Sequence, residues 1–172
     1  MRVVAFVVVA LCAVFSLRCS AEKAVDVDYF VERMDCHNAP FGLRLPATFQ
    51  ELLAMSPVLS RQIYNVTHVE GLDYTYLEEV VYFKGLTLDV TTFSNDPKRY
   101  MIATAEIRDP AWSHISPFHI GQNAATVHAL FGGIGNASLA LRADYFGEAG
   151  SGIYFESQAD RVTAVKYHCY TG

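Results

Sequence analysis

Apolar and polar positions along this chain change period several times, and each change marks an element. Thr48-Phe49-Gln50-Glu51 has the form of a capping box, in which a Thr hydroxyl and a Glu carboxylate satisfy the free N–H groups of a helix start. Phe49, Leu52 and Leu53 then follow the spacing of a helix buried on one side. Ser56-Pro57 ends that helix or opens another, and Val58, Leu59, Ile63 and Val66 predict a second short helix. Leu72–Phe83, Thr87–Phe93 and Tyr100–Ile107 are rich in aromatic and β-branched residues and read as strands. Lys84-Gly85 and Ser94-Asn95-Asp96-Pro97 are the turns between them. Asn123 is a candidate N-cap for a helix carrying Val127, Leu130 and Phe131, which Gly132-Gly133 ends. Ser138–Phe146, Ile153–Glu156 and Val162–Tyr170 read as further strands. Val25–Met34 opens with strand alternation that Phe30 breaks, so a short helix is an alternative there.

Part of this pattern occurs twice. At an offset of 77 residues, Pro40, Phe41, Leu43, Ala47 and Leu53 meet Pro117, Phe118, Ile120, Ala124 and Leu130. Phe93 and Arg99 meet Phe155 and Arg161 at an offset of 62. A repeat of this length fixes an architecture before any local reading does. The expected fold is α+β, with two tandem helix–turn–helix plus antiparallel-sheet units. The first spans 40–108 and the second 117–172, with 109–116 as linker and 22–39 as an N-terminal segment.

The first 21 residues read as a secretory leader. Arg2 is a short basic start, Val3–Leu17 is an apolar run, and Cys19-Ser20-Ala21 offers small residues for cleavage after Ala21. The run is shorter than the ~20 residues that span a bilayer, so no stable membrane span is expected after cleavage; a retained anchor is the alternative. Loss of Arg2 and Arg18 takes the net charge from −5 to −7. An acidic chain of this kind is a poor partner for nucleic acid, which needs a basic face. A positively charged protein is favoured electrostatically. Cleavage also removes Cys12 and Cys19, leaving Cys36 and Cys169 near the two ends. An exported chain with two cysteines usually pairs them; two buried thiols are the alternative.

Candidate chemistry adds little. Gly132-Gly133-Ile134-Gly135 follows a helix instead of opening one, which is not the setting of a nucleotide loop. The six histidines are scattered, with His114, His119 and His128 lacking a metal-ligand spacing. Glu78 and Glu79 are adjacent on a strand, so they point to opposite faces. Ser56 and Ser151 have no evident base. No cofactor or metal is predicted, and a binding protein is favoured over an enzyme. Tyr74 and Tyr76 lie two apart and share a strand face. Together with Trp112 they are the candidate partner-binding residues, the alternative being that these rings pack beneath the helices. Asn65-Val66-Thr67 and Asn136-Ala137-Ser138 fit glycosylation sequons, which matter only in a eukaryotic secretory protein.

The repeated helix-then-sheet unit, with FHIGQNAATVHALFGGIGN over Phe118–Asn136, resembles the β-lactamase inhibitory protein family. It is also similar to small envelope lipoproteins of the SmpA/OmlA type. The resemblance implies a concave sheet that grips a protein, in an exported bacterial protein, periplasmic or secreted, with inhibition of an envelope or extracellular hydrolase as the expected role. It departs from the inhibitory family in its cysteines, because Cys36 and Cys169 would tie one half to the other. No inhibitory residue carries over. A structural or assembly module of the envelope without inhibitory activity is the alternative.

Overall fold

The computed structural model describes residues 40–131, 137–138, 142–146 and 151–169. The leader, Val25–Met34, Cys36, Gly132–Asn136 and most of the Gly147–Gly152 connection lie outside the described residues.

A 3-10 turn at Pro40–Gly42 leads into helix α1 (Phe49–Ala54). Four strands follow: β1 (Ser60–His68), β2 (Thr75–Phe83), β3 (Leu86–Phe93) and β4 (Asp96–Ile107). A second 3-10 turn, Pro110–Trp112, precedes helix α2 (Ala124–Phe131). The chain closes with β5 (Ala137–Ser138), β6 (Arg142–Phe146), β7 (Gly152–Gln158) and β8 (Arg161–His168). The eight strands among the described residues form one sheet in the order β1-β2-β3-β4-β8-β7-β6-β5. Every pairing is antiparallel.

This architecture corrects the expected one. Among the described residues a single continuous sheet with two short helices dominates, in place of two helix–turn–helix plus sheet units. The stretch predicted as a second helix, Val58–Val66, lies mostly in edge strand β1, where Leu59, Ile63 and Val66 are exposed instead of forming a buried stripe. Pairing with β2 from Ser60↔Tyr82 to His68↔Thr75 satisfies its backbone, and its β-branched Ile63, Val66 and Thr67 suit a strand. The two halves meet through Thr104–Ile107 of β4 and Val165–His168 of β8, inside one sheet.

The stretch expected as a linker is well packed. Trp112, Ile115 and Ser116 are buried in the core. Asp109 caps the Pro110–Trp112 turn through Ala111 N–H, and Arg44 N–H donates to Ile115 O at 2.8 Å, so 109–116 is packed structure.

The core lies on one face of the sheet. Val81, Phe83, Leu86, Leu88, Val90, Ile102, Ala105 and Ile107 supply it from β2, β3 and β4. Ile153, Phe155, Val165 and Tyr167 continue it across β7 and β8. Phe49 and Leu52 of α1 and Val127 of α2 cover the same face. The capping box of α1 is formed as its sequence predicts, with Glu51 N–H donating to Thr48 Oγ1 and Thr48 N–H to the Glu51 carboxylate. Asn123 Oδ1 accepts from Ala125 and Thr126 N–H at the start of α2. Burying a side chain such as Leu52 or Phe118 stabilises by about 2–3 kcal/mol.

Candidate functional site

Period-two alternation assigns each strand residue to the core face or to the opposite, helix-free face, which no helix among the described residues covers. In β2, Glu79, Val81 and Phe83 are buried on the core face, while Tyr76, Glu78, Val80 and Tyr82 are half-buried on the other. The registers Tyr76↔Phe93, Glu78↔Thr91, Val80↔Asp89 and Tyr82↔Thr87 carry the helix-free face onto β3. Thr87↔Glu106 and Asp89↔Thr104 carry it onto β4, and Glu106↔Lys166 and Thr104↔His168 onto β8. Tyr154↔Lys166 takes it to β7.

At one end of this face stands an aromatic row. Tyr74 immediately precedes β2, and its ring meets Phe93 edge-on with centroids 6.5 Å apart. Tyr76 is the register partner of Phe93. The Arg99 guanidinium lies over the Phe93 ring, 4.7 Å from its centroid, as a cation on a π face. The structure therefore brings Tyr74 and Tyr76 together, with Phe93 and Arg99 beside them.

Trp112 does not join them. It is 6 % exposed, its indole N–H donates to Lys84 O at 2.8 Å, and its ring packs against Phe83. As a candidate binding residue it is corrected to a core residue. A Trp in a Pro-containing stretch looks like a surface loop in sequence, but here the turn rolls it under the β2–β3 hairpin.

A second cluster lies on the same face nearer its centre. A bulge between Ile63 and Asn65 interrupts the β1–β2 register, and bulges re-aim side chains. Tyr64 reaches across the sheet, its hydroxyl donating to Asp89 Oδ1 at 2.8 Å. Burial raises the pKa of Asp89, while the Tyr64 hydrogen bond opposes that shift. Burial is also the main cause that raises Tyr64, with Asp89 adding to it. Further along, Arg108 binds both Glu156 carboxylate oxygens at 2.9 Å and pairs with Glu106, tying β4 to β7 across β8. These groups are well exposed, so the pair stabilises by less than about 1 kcal/mol.

Phe93, Arg99, Tyr64 and Asp89 are not among the binding candidates read from the sequence, where Phe93 and Arg99 figure only as repeat positions. Alternation in Thr87–Phe93 was a usable signal for Phe93 and Asp89, whereas the helical reading of Val58–Val66 hid Tyr64.

The two adjacent glutamates face opposite ways, as strand geometry requires. Glu78 accepts from Asn65 on the helix-free side. Glu79 is 0 % exposed on the core side, where Arg61 Nε and Nη2 donate to its two oxygens at 2.6 and 2.7 Å. Arg61 also lies over the Phe49 ring, so the pair links β1, β2 and α1. Among the histidines, His114 contacts Ala111 O and stacks on Trp112, and His128 Nε2 is buried with no hydrogen-bond partner among the described residues. No group of three metal-ligating side chains occurs among the described residues. Cys169 is buried. No described helix is long and apolar enough to cross a membrane. No family model, curated protein or solved structure matches the chain.

Proposed function

We propose that this chain is an exported protein that binds another protein through the helix-free face of its sheet, centred on Tyr74, Tyr76 and Phe93. The observation that carries this reading is the aromatic row itself: half-buried rings grouped on the face opposite the core and both helices. Aromatic residues and Arg are the side chains that dominate protein interfaces, because large, fairly rigid rings lose little conformational entropy on binding. The chain's negative net charge favours a basic partner surface and acts mainly on the association rate. An inhibitory role toward a hydrolase is the finer form of the proposal and rests on the family resemblance alone.

The test uses the whole chain as bait against an extracellular or envelope extract, beside a Tyr74→Ala/Tyr76→Ala variant. The reading expects one stoichiometric protein held by the wild type and released by the variant at unchanged melting temperature. If that protein is a hydrolase, its activity is assayed with and without the chain. Equal retention by both forms would place the interface elsewhere, and no specific capture would favour a structural role.

A further inference from the structure

β1 is an edge strand of the described sheet, exposed along almost its whole length; Ile63, Tyr64 and Val66, and Leu59 just ahead of it, are each more than half exposed. A bare edge is a template for pairing with other chains, and proteins guard such edges with Pro, Lys, charge or a covering group. β1 contains no Pro and no Lys, and its Arg61 is engaged with Glu79. The sequon Asn65-Val66-Thr67 sits in the middle of this strand. Asn65 is exposed, and its Nδ2 donates to Thr67 Oγ1 at 3.2 Å and to Glu78 Oε2 at 2.5 Å.

We propose that Asn65 is an N-glycosylation site whose glycan covers the exposed edge of β1. The donor is an oligosaccharide carried on a polyprenyl diphosphate, delivered by an oligosaccharyltransferase during import. Asn65 Nδ2 attacks the anomeric carbon, and a C–N bond forms as the C–O bond to the diphosphate breaks. The lipid diphosphate leaves, and Nδ2 gives up one of its two protons. The glycosylated amide keeps one N–H, enough for the shorter bond to Glu78, and gives up the longer one to Thr67. A glycan is bulky and solubilising, so at this position it shields the strand edge from a second chain on the face that Asn65 shares with Thr67. It stands beside Thr67, which faces Tyr76, so a partner of the aromatic row approaches from the β3 and β4 side. The inference is independent of that binding reading. It places the chain in a eukaryotic secretory compartment, in place of the bacterial source that the family resemblance implies.

The experiment is translation of the chain, with a host leader ahead of residue 22, in the presence of eukaryotic microsomes. Asn136→Gln is introduced so that the second sequon cannot contribute. The expected result is one glycan-sized gel shift in the imported protein, removed by peptide N-glycosidase and absent when Thr67→Ala is added. After glycosidase treatment the peptide spanning Arg61–His68 should carry Asp at position 65. Imported Asn136→Gln protein that runs identically with and without glycosidase, with unconverted Asn65 in that peptide, overturns the proposal.

Discussion

Tyr76 and Trp112 show how little residue type says about role. Both are large aromatics in an aromatic-rich chain, but one is half-buried on the helix-free face and the other is sealed under a hairpin with its indole N–H satisfied. Trp112→Ala is expected to destabilise by about 3–5 kcal/mol, the usual cost of emptying a large aromatic site. Tyr76→Ala should change the melting temperature little and weaken partner capture roughly thirtyfold, equivalent to about 2 kcal/mol. Thermal melts of the two variants side by side decide this, and a large fall for Tyr76→Ala would move that ring into the core. Arg61 and Glu79 make a second residue-scale case. Removing Arg61 leaves a fully buried carboxylate without its partner. Breaking a buried pair costs about 3–5 kcal/mol. Arg61 is 43 % exposed, so the expected loss for Arg61→Ala is nearer about 2 kcal/mol. The double change Arg61→Met/Glu79→Leu should recover most of it, which urea unfolding of the three forms would show.

At the scale of elements, the β2–β3 hairpin depends on one glycine. Gly85 holds φ at +72°, and a Cβ there would stand 2.2 Å from Asp109 Cβ. Its carbonyl also accepts from Arg108 and Asp109 N–H, which anchors the chain leaving β4. Gly85→Ala therefore meets both a left-handed backbone penalty and a clash, with an expected loss of about 2–3 kcal/mol. A melting temperature within error of the wild type would contradict this. Helix α1, its capping box and strands β2 to β4 were legible because each rests on local signals: a Thr–Glu spacing, a 3.6-residue stripe, or β-branched runs between turns. β1 was not legible. Val58, Leu59, Ile63 and Val66 fit a helical stripe on paper, and only the free edge of β2, available for pairing, decides that the segment extends. The bulge that turns Tyr64 toward Asp89 leaves no mark in the sequence that separates it from regular strand.

Across the whole molecule, two long-range features invite measurement. We propose that Cys169 forms a disulfide with Cys36. Such a bond closes a loop of about 134 residues and stabilises by at most about 4–5 kcal/mol in the chain-entropy model. Intact mass with alkylation before and after reduction should show no free thiol in the native mature chain, and two freely alkylated cysteines would end the claim. The second feature is the alkaline limb of stability. Burial is the first cause that pushes Tyr100 up to about 12, and Tyr167 is raised as well by full burial, each from the ordinary value of 10.0. A folded pKa above the unfolded one means the native state holds the proton. The stability this contributes is complete below about pH 10 and is lost as pH climbs through the folded values. Tyr100 also donates to Pro46 O at 2.5 Å, a bond that ionisation would remove. Urea unfolding from neutral to strongly alkaline pH should show the decline beginning near pH 10, and Tyr100→Phe should flatten it. Tyrosine ionisation that is complete near pH 10 with the fold intact would contradict the buried placement.

Sequence alone determined the parts whose physics is local: the helix N-caps, most strands, and the opposed faces of Glu78 and Glu79. These follow from hydrogen-bonding groups a few residues apart and from side-chain periods that any chain obeys. The tertiary structure decided the rest. It joined all eight strands through β4 and β8 into one sheet, drew Trp112 into the core, and made an edge strand of a segment with a helical stripe. It also set Phe93 and Arg99 beside the two tyrosines. Each of these depends on which distant backbone edge or apolar surface is left unfilled when the strands assemble. That choice is made between segments tens of residues apart, and no local pattern records it.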